Sequence, residues 1–350
     1  MKAPFPYFGG KSKIAPTVWQ LLGDVQTFVE PFFGSGAVLL NRPVKNDFGR
    51  EIVNDKDGHI ANVWRSIQYQ PDETAKWCDW PVNHADLMAR RKVLIANEDR
   101  LLENLVKDDV WCDPKIAGYW IWASSCWIGS GLTHDRGGES QRPLMNDMGV
   151  HSKRPRLDAD MDCQVPRLTG DMGVRCQVPR LTDGINSGRP VIANPGVSQD
   201  LNIYNWFAEL SARLRRVKVV CGDWTRVLGG NWQDRSGICG IFFDPPYSSE
   251  KRCKSIYAQD SLEITPAVED WCLTHDRPTM RLICCGYQGE YEKLIAKGWR
   301  VINWEANGGY SNQGNKEGAR HDNRKQEILV YSPACVKTET VVSGNLFEEE

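Results

Sequence analysis

The chain has 350 residues and a formal net charge of −2 at pH 7, so it can form one catalytic core with an insertion but has no general attraction to a polyanion. Its twelve cysteines form no C-x-x-C pair, which argues against structural zinc or a disulfide framework and favours a reducing cytosol. No stretch has the pattern of a signal peptide or the length of a membrane span, so we expect a soluble, cytoplasmic protein.

The first predicted elements alternate between strands and helices. The pattern predicts a short helix over 14–22, a buried strand over 25–30 that leads into a glycine turn, and a helix over 37–40. A second strand over 51–54 ends in acid, and apolar residues at i, i+3, i+4 and i+7 predict a helix over 60–67. Helices without strands are expected from about 71 to 122. This order indicates an α/β fold of the nucleotide-binding kind.

An irregular insertion is predicted between residues 129 and 196, where Gly, Pro, Asp and Arg replace regular periodicity. The segment CQVPRLT occurs twice, at 163–169 and 176–182, and so few copies favour a turn-rich excursion over a solenoid. A solvated loop and a phosphate-binding surface explain the interleaved Arg and Asp equally well, but the Arg that recurs in Pro-Arg-Leu favours contact with DNA. The arginines that we select as DNA-binding candidates are Arg136, Arg142, Arg154, Arg156, Arg167 and Arg180.

The α/β pattern then resumes, with strands predicted over 217–221, 238–243, 281–285, 300–304 and 327–331. The first three of these strands stop at a polar or glycine-containing turn. Ligands of open α/β sheets bind at the carboxyl ends of the strands. We therefore expect Glu30, Asp55, Asp223 and Asp244 to converge on one crevice.

The motif Asp244-Pro245-Pro246-Tyr247 carries the most specific chemistry in the chain. An exocyclic aryl amine is a weak nucleophile, so a site that methylates it must accept its N–H bonds and aim its lone pair at the methyl donor. Asp244 can accept one N–H through its carboxylate and Pro245 the other through its carbonyl, while Pro246 stiffens the turn. The ring of Tyr247 can stack on the base. The alternative is a simple end of the strand, because Asp-Pro-Pro is ordinary turn chemistry.

A glycine turn supplies the candidate cofactor pocket. Gly34 and Gly36 follow the strand that ends at Glu30, and glycines at this place let the backbone approach a ligand closely. Phe32 and Phe33 are available to form a wall of the pocket. Two glycines spaced G-x-G are equally common in a plain tight turn.

Two further acids follow strands. Asp55 is placed to accept both ribose hydroxyls of a cofactor, and Asp223 could accept from the cofactor's adenine amino group. The alternative for Asp55 is a helix N-cap, which the run 54–57 would serve equally well. The alternative for Asp223 is the cap of a helix that begins near Trp224.

The order of these motifs resembles the Dam-type adenine DNA methyltransferases. Pro6 to Lys11 (PYFGGK) matches their lysine-bearing glycine loop, Phe28 to Gly36 (FVEPFFGSG) the cofactor turn, Val53 to Asp55 the ribose-binding acid and Asp244 to Tyr247 the DPPY motif. The resemblance implies a Rossmann-like sheet that binds S-adenosylmethionine. It also implies that S-adenosylhomocysteine is formed as the product of methyl transfer. By this likeness the residues that touch the cofactor or a flipped adenine are Tyr7, Lys11, Asp55 and Asp244.

The family's recognition segment, which wedges an aromatic side chain into the duplex, resembles residues 123–129 and places Trp127 in the aromatic position. Trp127 is the best candidate for this wedge, and its rival role is as a core aromatic beside Trp120 and Trp122. The predicted division is a catalytic core over 1–67 and 211–335, a mostly helical and irregular DNA-recognition domain over 68–210, and an acidic tail over 336–350.

The predicted function is site-specific methylation of adenine N6 in double-stranded DNA, with the adenine flipped out of the helix. The alternatives are methylation of RNA or of cytosine N4, and a DNA-binding regulator without turnover. The resemblance implies a bacterial or phage-encoded, nucleoid-associated enzyme of the restriction-modification kind. We expect it to act on DNA as a monomer or dimer, without metal or membrane.

Overall fold

The computed structural model describes residues 1–7, 9–43, 49–127, 132–133, 203–230, 237–246, 261–304 and 327–337. Tyr247, the six candidate arginines and both copies of the duplicated segment lie outside these residues.

Seven strands form one sheet in the order β3-β2-β1-β4-β5-β7-β6. All neighbouring strands are parallel except β7, which runs antiparallel to both β5 and β6. The arrangement confirms the predicted α/β class with a Rossmann-like methyltransferase sheet. The strands are β1 (Thr27–Glu30), β2 (Arg50–Asp55), β3 (Val217–Cys221), β4 (Cys239–Phe243), β5 (Met280–Tyr287), β6 (Arg300–Trp304) and β7 (Glu327–Tyr331).

Helices cover the sheet and extend from it. Those described are α1 (Ala15–Leu22), α2 (Ala37–Leu40), α3 (Gly58–Tyr69), α4 (Pro71–Cys78), α5 (His84–Ala96), α6 (Glu98–Lys107), α7 (Pro114–Cys126), α8 (Ile203–Leu214), α9 (Ser261–His275) and α10 (Glu292–Ala296), with a 3₁₀ helix over Trp224–Val227.

The middle of β1 and the whole of β4 are apolar, and every residue of these two strands is buried. Phe28 and Phe242 face one hydrophobic cluster, while Val29, Ile241 and Phe243 face the other. Successive side chains of a strand point to opposite faces, so a doubly covered strand is a continuous apolar run and not an alternating one.

The helices α4 to α8 share the first of these clusters with the sheet. Leu94, Trp122 and Phe207, from α5, α7 and α8, are fully buried in the same cluster as Phe28. The helix α8 was not predicted, and it crosses position 210, where the sequence analysis divided the chain.

A buried ion-pair network fastens α8 to the core. Both carboxylate oxygens of Glu51 in β2 accept hydrogen bonds from Arg213, at 2.7 and 2.8 Å, and Arg42 binds the same carboxylate at 2.9 Å. The Val25 carbonyl also accepts a hydrogen bond from Arg42, and the Leu39 carbonyl accepts one from Arg213. The chain that returns from the insertion is thereby held to β2 and to the end of α2.

Candidate active site

The candidate site lies at the carboxyl ends of β1 and β4, where the order of the strands in the sheet changes direction. The chain moves outward from β1 through β2 to β3 on one side, and β4 lies on the other side of β1. Glu30 is the last residue of β1, and Asp244 follows β4 directly. In open α/β sheets this reversal point, at the carboxyl ends of the strands, is where ligands bind. The topology therefore brings Glu30 and Asp244 to one place.

Gly34 stands at the centre of the turn after β1 and has a left-handed backbone, with φ at +47°. A Cβ atom there would lie 2.5 Å from a ring carbon of Tyr7, so only glycine admits this side chain against the turn. The Gly34 carbonyl accepts from the Trp64 indole at 2.9 Å, and its N–H donates to Asp55 Oδ2 at 2.8 Å. Tyr7, the glycine turn and Asp55 are thus in direct contact.

Asp55 closes β2 and is half-buried beside this turn. Besides the Gly34 bond it accepts the Asp57 backbone N–H at 2.9 Å. Burial, together with the nearby charge of Asp57, raises the pKa of Asp55 to about 7 despite these hydrogen bonds. The N-terminal cap of α3 is Asp57, which accepts from His59 and Ile60, so the capping role considered for Asp55 belongs to its neighbour.

Lys11 and Asp244 form an ion pair in the crevice, with Nζ and Oδ2 3.0 Å apart. The Lys11 side chain is only 5% exposed, and its ammonium also donates to the Gly9 carbonyl at 2.8 Å. Burial by itself lowers the pKa of Lys11, but the attraction of Asp244 and of further nearby groups outweighs burial and holds this pKa above its usual range. Lys11 is therefore a charged, buried residue, not the solvated surface lysine that its sequence position alone would suggest.

Glu30 is buried near Asp55 and Asp244. Burial, with the charges of Asp244 and Asp55, raises the pKa of Glu30 well above its usual range, although a hydrogen bond from the Leu39 backbone opposes the shift. Its Oε2 atom is buried without a hydrogen-bond partner among the described residues. A buried carboxyl oxygen without a partner is costly, which makes it a candidate for a ligand contact.

Phe33 packs in the core: it is 3% exposed, and its ring centroid lies 5.1 Å from that of Trp64. Its contact with a cofactor stays a prediction. Phe32 is more exposed, and its ring centroid lies 6.1 Å from that of Trp224, the first residue of the 3₁₀ helix after β3. Phe32 is therefore the more accessible member of the pair.

Asp223 caps the 3₁₀ helix that follows β3. Its Oδ1 accepts from the backbone N–H and the hydroxyl of Thr225, at 3.0 and 2.5 Å. This is the capping role that the sequence left open, and it uses one of the two carboxylate oxygens. A cofactor contact through the other oxygen stays a prediction.

Trp127 is half-buried at the C-terminal end of α7. Its ring packs against the core, and the Arg91 guanidinium lies 5.4 Å from its centroid. Trp120 and Trp122 on the same helix are 7% and 0% exposed. Trp127 differs from these two core residues in its exposure, and it directly precedes the insertion.

Glu327 and Trp304 are two residues near the site that the sequence analysis did not select. Both are buried and directly paired across β7 and β6, and the Lys11 ammonium lies 5.8 Å from the Trp304 ring centroid. An acid at the start of an otherwise apolar strand was a visible signal for Glu327.

The described residues contain no group of three or more His, Cys, Asp or Glu that could hold a metal ion. Among the helices that the structure describes, none is long and apolar enough to cross a membrane.

The family comparison matches the N-terminal part of the site. Residues 7–114 match the model of the D12 class N6 adenine-specific DNA methyltransferases, and this range includes Tyr7, Lys11, Glu30 and Asp55 but ends before Asp244. A search of the curated proteins gives no match. Over residues 7–114, therefore, the chain matches the D12 class N6 adenine-specific DNA methyltransferase family, which confirms its resemblance to the Dam-type enzymes.

Proposed function

We propose that this protein transfers a methyl group from S-adenosylmethionine to the N6 amine of adenine in double-stranded DNA. The observation that supports this most directly is the 3.0 Å ion pair between Lys11 and Asp244. It joins the N-terminal glycine loop, which lies inside the family match, to the DPPY strand end, which lies outside it. The two parts of the methyltransferase motif set thus meet at the reversal point of the sheet.

The chain's own groups would hold the amine. The Asp244 carboxylate accepts one N–H and the Pro245 carbonyl the other, which turns the nitrogen lone pair toward the donor. Lys11 binds the Asp244 carboxylate at 3.0 Å and helps to fix its position beside the incoming amine. Tyr247 would stack on the base and hold its plane.

The residues of the crevice fit S-adenosylmethionine. This group carries an ammonium, two ribose hydroxyls and an exocyclic amine, and the strand ends offer carboxyl acceptors for such donors. The unpartnered Oε2 of Glu30 suits the ammonium, and Asp55 suits the ribose hydroxyls. Tyr7, Lys11, Phe32, Gly34, Gly36 and Asp223 complete the proposed pocket, with Phe33 supporting the turn from the core. The bound group supplies a methyl already activated on a sulfonium.

DNA would reach this crevice only through a displaced adenine, because a paired N6 amine is engaged with thymine inside the duplex. Trp127 is the candidate that fills the gap, and the insertion supplies the DNA contacts. Its arginines, Arg136, Arg142, Arg154, Arg156, Arg167 and Arg180, remain the proposed contact set.

Incubation of the protein with labelled S-adenosylmethionine and mixed-sequence duplex DNA, followed by sequencing of the modified bases, tests the proposal. We expect the label in N6-methyladenine. Asp244→Ala should lower the rate by about two to three orders of magnitude, as for loss of one preorganised group at a reacting centre. Asp270→Asn, which changes an exposed carboxylate paired with Lys293, should not change it.

Other outcomes would replace the proposal. Label in cytosine or RNA would favour the amino-methyltransferase alternatives, and DNA binding without transfer would favour a regulator. A loss of only a few-fold in Asp244→Ala would remove Asp244 from its assigned role.

A further inference from the structure

Glu327 and Trp304 lie at the carboxyl edge of the sheet although they belong to its late strands. Because β7 is antiparallel to both neighbours, β6 is parallel to β5, and the last residue of β6 lies beside the first residue of β7. Glu327 pairs with Tyr287 on one side and Trp304 on the other. This row extends the edge at which Asp244 follows β4.

The two side chains lie on the same face of the sheet as Lys11. Leu329, two residues after Glu327, packs in the cluster that also holds Trp304, Cys285 and the α1 helix that follows Lys11. Since side chains alternate along a strand, Glu327 points to this same face. We call Lys11, Asp244, Trp304 and Glu327 the Lys11 cluster.

Four elements present charged or polar groups to the Lys11 ammonium. They are the Gly9 carbonyl of its own loop, Asp244 after β4, the Cys285 thiol of β5 and Glu327 of β7. The Trp304 ring of β6 adds an aromatic face at 5.8 Å. The ammonium thus lies in a buried site with two carboxylates.

We propose that Glu327 is the positioning residue of this site, which holds the Lys11 ammonium while Asp244 binds the amine of the substrate. The proposal rests on the proposed function, because it is the incoming N–H groups that compete with Lys11 for Asp244. A buried ammonium without a second carboxylate would stay bound to Asp244 or would lose its charge, since an unpaired charge is strongly disfavoured in this environment. With Glu327 present, Lys11 stays in place and charged, and Asp244 keeps lone pairs for the substrate.

Steady-state kinetics of Glu327→Gln test the positioning role. We expect kcat to fall about ten- to hundredfold, as for loss of one charge-assisted bond, with little change in KM for DNA. Glu327→Asp should recover part of the rate. The rate of Glu327→Gln should also decline at a lower alkaline pH than that of the wild type, because loss of one carboxylate lowers the pKa of Lys11.

Glu51→Gln is the matched control. Glu51, a buried carboxylate in β2, binds Arg42 and Arg213. Its loss should therefore reduce stability without moving the pH profile of the rate. A Glu327→Gln profile that coincides with that of Glu51→Gln would overturn the proposal and leave Glu327 a structural residue.

A double-mutant cycle tests the same contact without any activity. The double variant Lys11→Met/Glu327→Gln should have a higher urea midpoint than the summed losses of the two single variants predict. This coupling between Lys11 and Glu327 should be larger when Asp244 is also replaced by Asn. Lys11→Met with Glu51→Gln should be additive. Additive behaviour of Lys11 and Glu327 in both backgrounds would overturn the proposal, whereas coupling in a protein that does not methylate DNA would contradict only the proposed function.

Discussion

At the scale of single residues, the half-buried carboxyl of Asp55 has a raised pKa, from which we predict that cofactor binding depends on pH. Its carboxylate is desolvated beside the glycine turn, and its pKa is raised to about 7. The protonated form has lost part of its capacity to accept hydrogen bonds. If Asp55 accepts the ribose hydroxyls, the form that binds best is the carboxylate.

We therefore expect affinity for S-adenosylmethionine to be lost as pH falls through about 7, by up to about tenfold per pH unit. Titration calorimetry between pH 5.5 and 8.5 measures this dependence. Asp55→Ala should flatten it and weaken binding by about 1.5–3 kcal/mol per charge-assisted bond removed. Equal affinities of wild type and variant at every pH would exclude Asp55 from the cofactor site.

Gly34 gives a prediction about backbone geometry. Gly34→Ala places a Cβ atom 2.5 Å from the Tyr7 ring at a φ of +47°, whereas Gly298→Ala has a positive φ of +90° but no atom within 4 Å of its Cβ. We expect Gly34→Ala to lower the free energy of unfolding by about 1–3 kcal/mol more than Gly298→Ala, the usual cost of overpacking. The excess should disappear in a Tyr7→Ala background. If it persists there, the turn is strained for a reason other than Tyr7.

At the scale of elements, the sequence predicted strands better than helices. The bounds of β3, β6 and β7 agree with the predicted ranges, because short apolar runs bounded by polar turns fit a buried strand. The strand β5 continues past Cys285 to Tyr287 because Gly286 and Tyr287 pair with β7, a long-range contact that local pattern does not contain. The helix α8 was missed although Phe207, Leu210 and Leu214 repeat at helical spacing.

The candidate site was predicted in part. Acids at strand ends predicted Glu30, Asp55 and Asp244, since the carboxyl ends of parallel strands share one edge. Lys11 was selected only through the resemblance to the Dam-type enzymes. Glu327 was not predicted because it is the first residue of its strand. Only the antiparallel placement of β7 between β5 and β6 brings this first residue to the edge where the parallel strands end. Sequence order alone does not determine this placement.

The end of α7 carries a prediction about Trp127. If this half-buried ring fills the place of the flipped adenine, Trp127→Ala should keep the fold and the cofactor affinity but slow methylation. A mismatch opposite the target adenine should then restore part of the rate, because less free energy is needed to unpair the base. Trp122→Ala, which removes a fully buried ring, should instead destabilise the protein by about 3–5 kcal/mol. Similar destabilisation by both substitutions, without rescue by the mismatch, would make Trp127 a core residue.

At the scale of the whole molecule, the segments before and after the insertion pack into the same hydrophobic core. The helix before it, α7, and the helix after it, α8, bury residues in the same cluster. The bidentate contact of Arg213 with Glu51 adds a buried ion pair that ties α8 to β2. These contacts are made by residues outside 134–202, a segment that contains most of the predicted insertion. We therefore predict that folding and cofactor binding do not require residues 134–202.

Replacement of residues 134–202 by a Gly/Ser linker of about 15 residues tests this separation. Such a linker spans up to about 50 Å when extended, which is enough to join two helices that both pack against α4. We expect the shortened protein to keep cooperative urea unfolding and its affinity for S-adenosylmethionine, because α8 and the crevice are intact. DNA affinity should fall strongly, and the salt dependence of the remaining binding should be shallower because phosphate contacts are lost.

In the full chain, Arg167→Ala and Arg180→Ala should each reduce the slope of log affinity against log salt by about one unit if these arginines contact phosphates, and should relax sequence preference if they contact bases. Anisotropy of labelled duplexes at several salt concentrations measures both effects. A shortened protein that binds DNA as the full chain does would place recognition on the described helices. A shortened protein that unfolds cooperatively but no longer binds S-adenosylmethionine would make the insertion part of the cofactor site, so the two functions would not be separable along the chain.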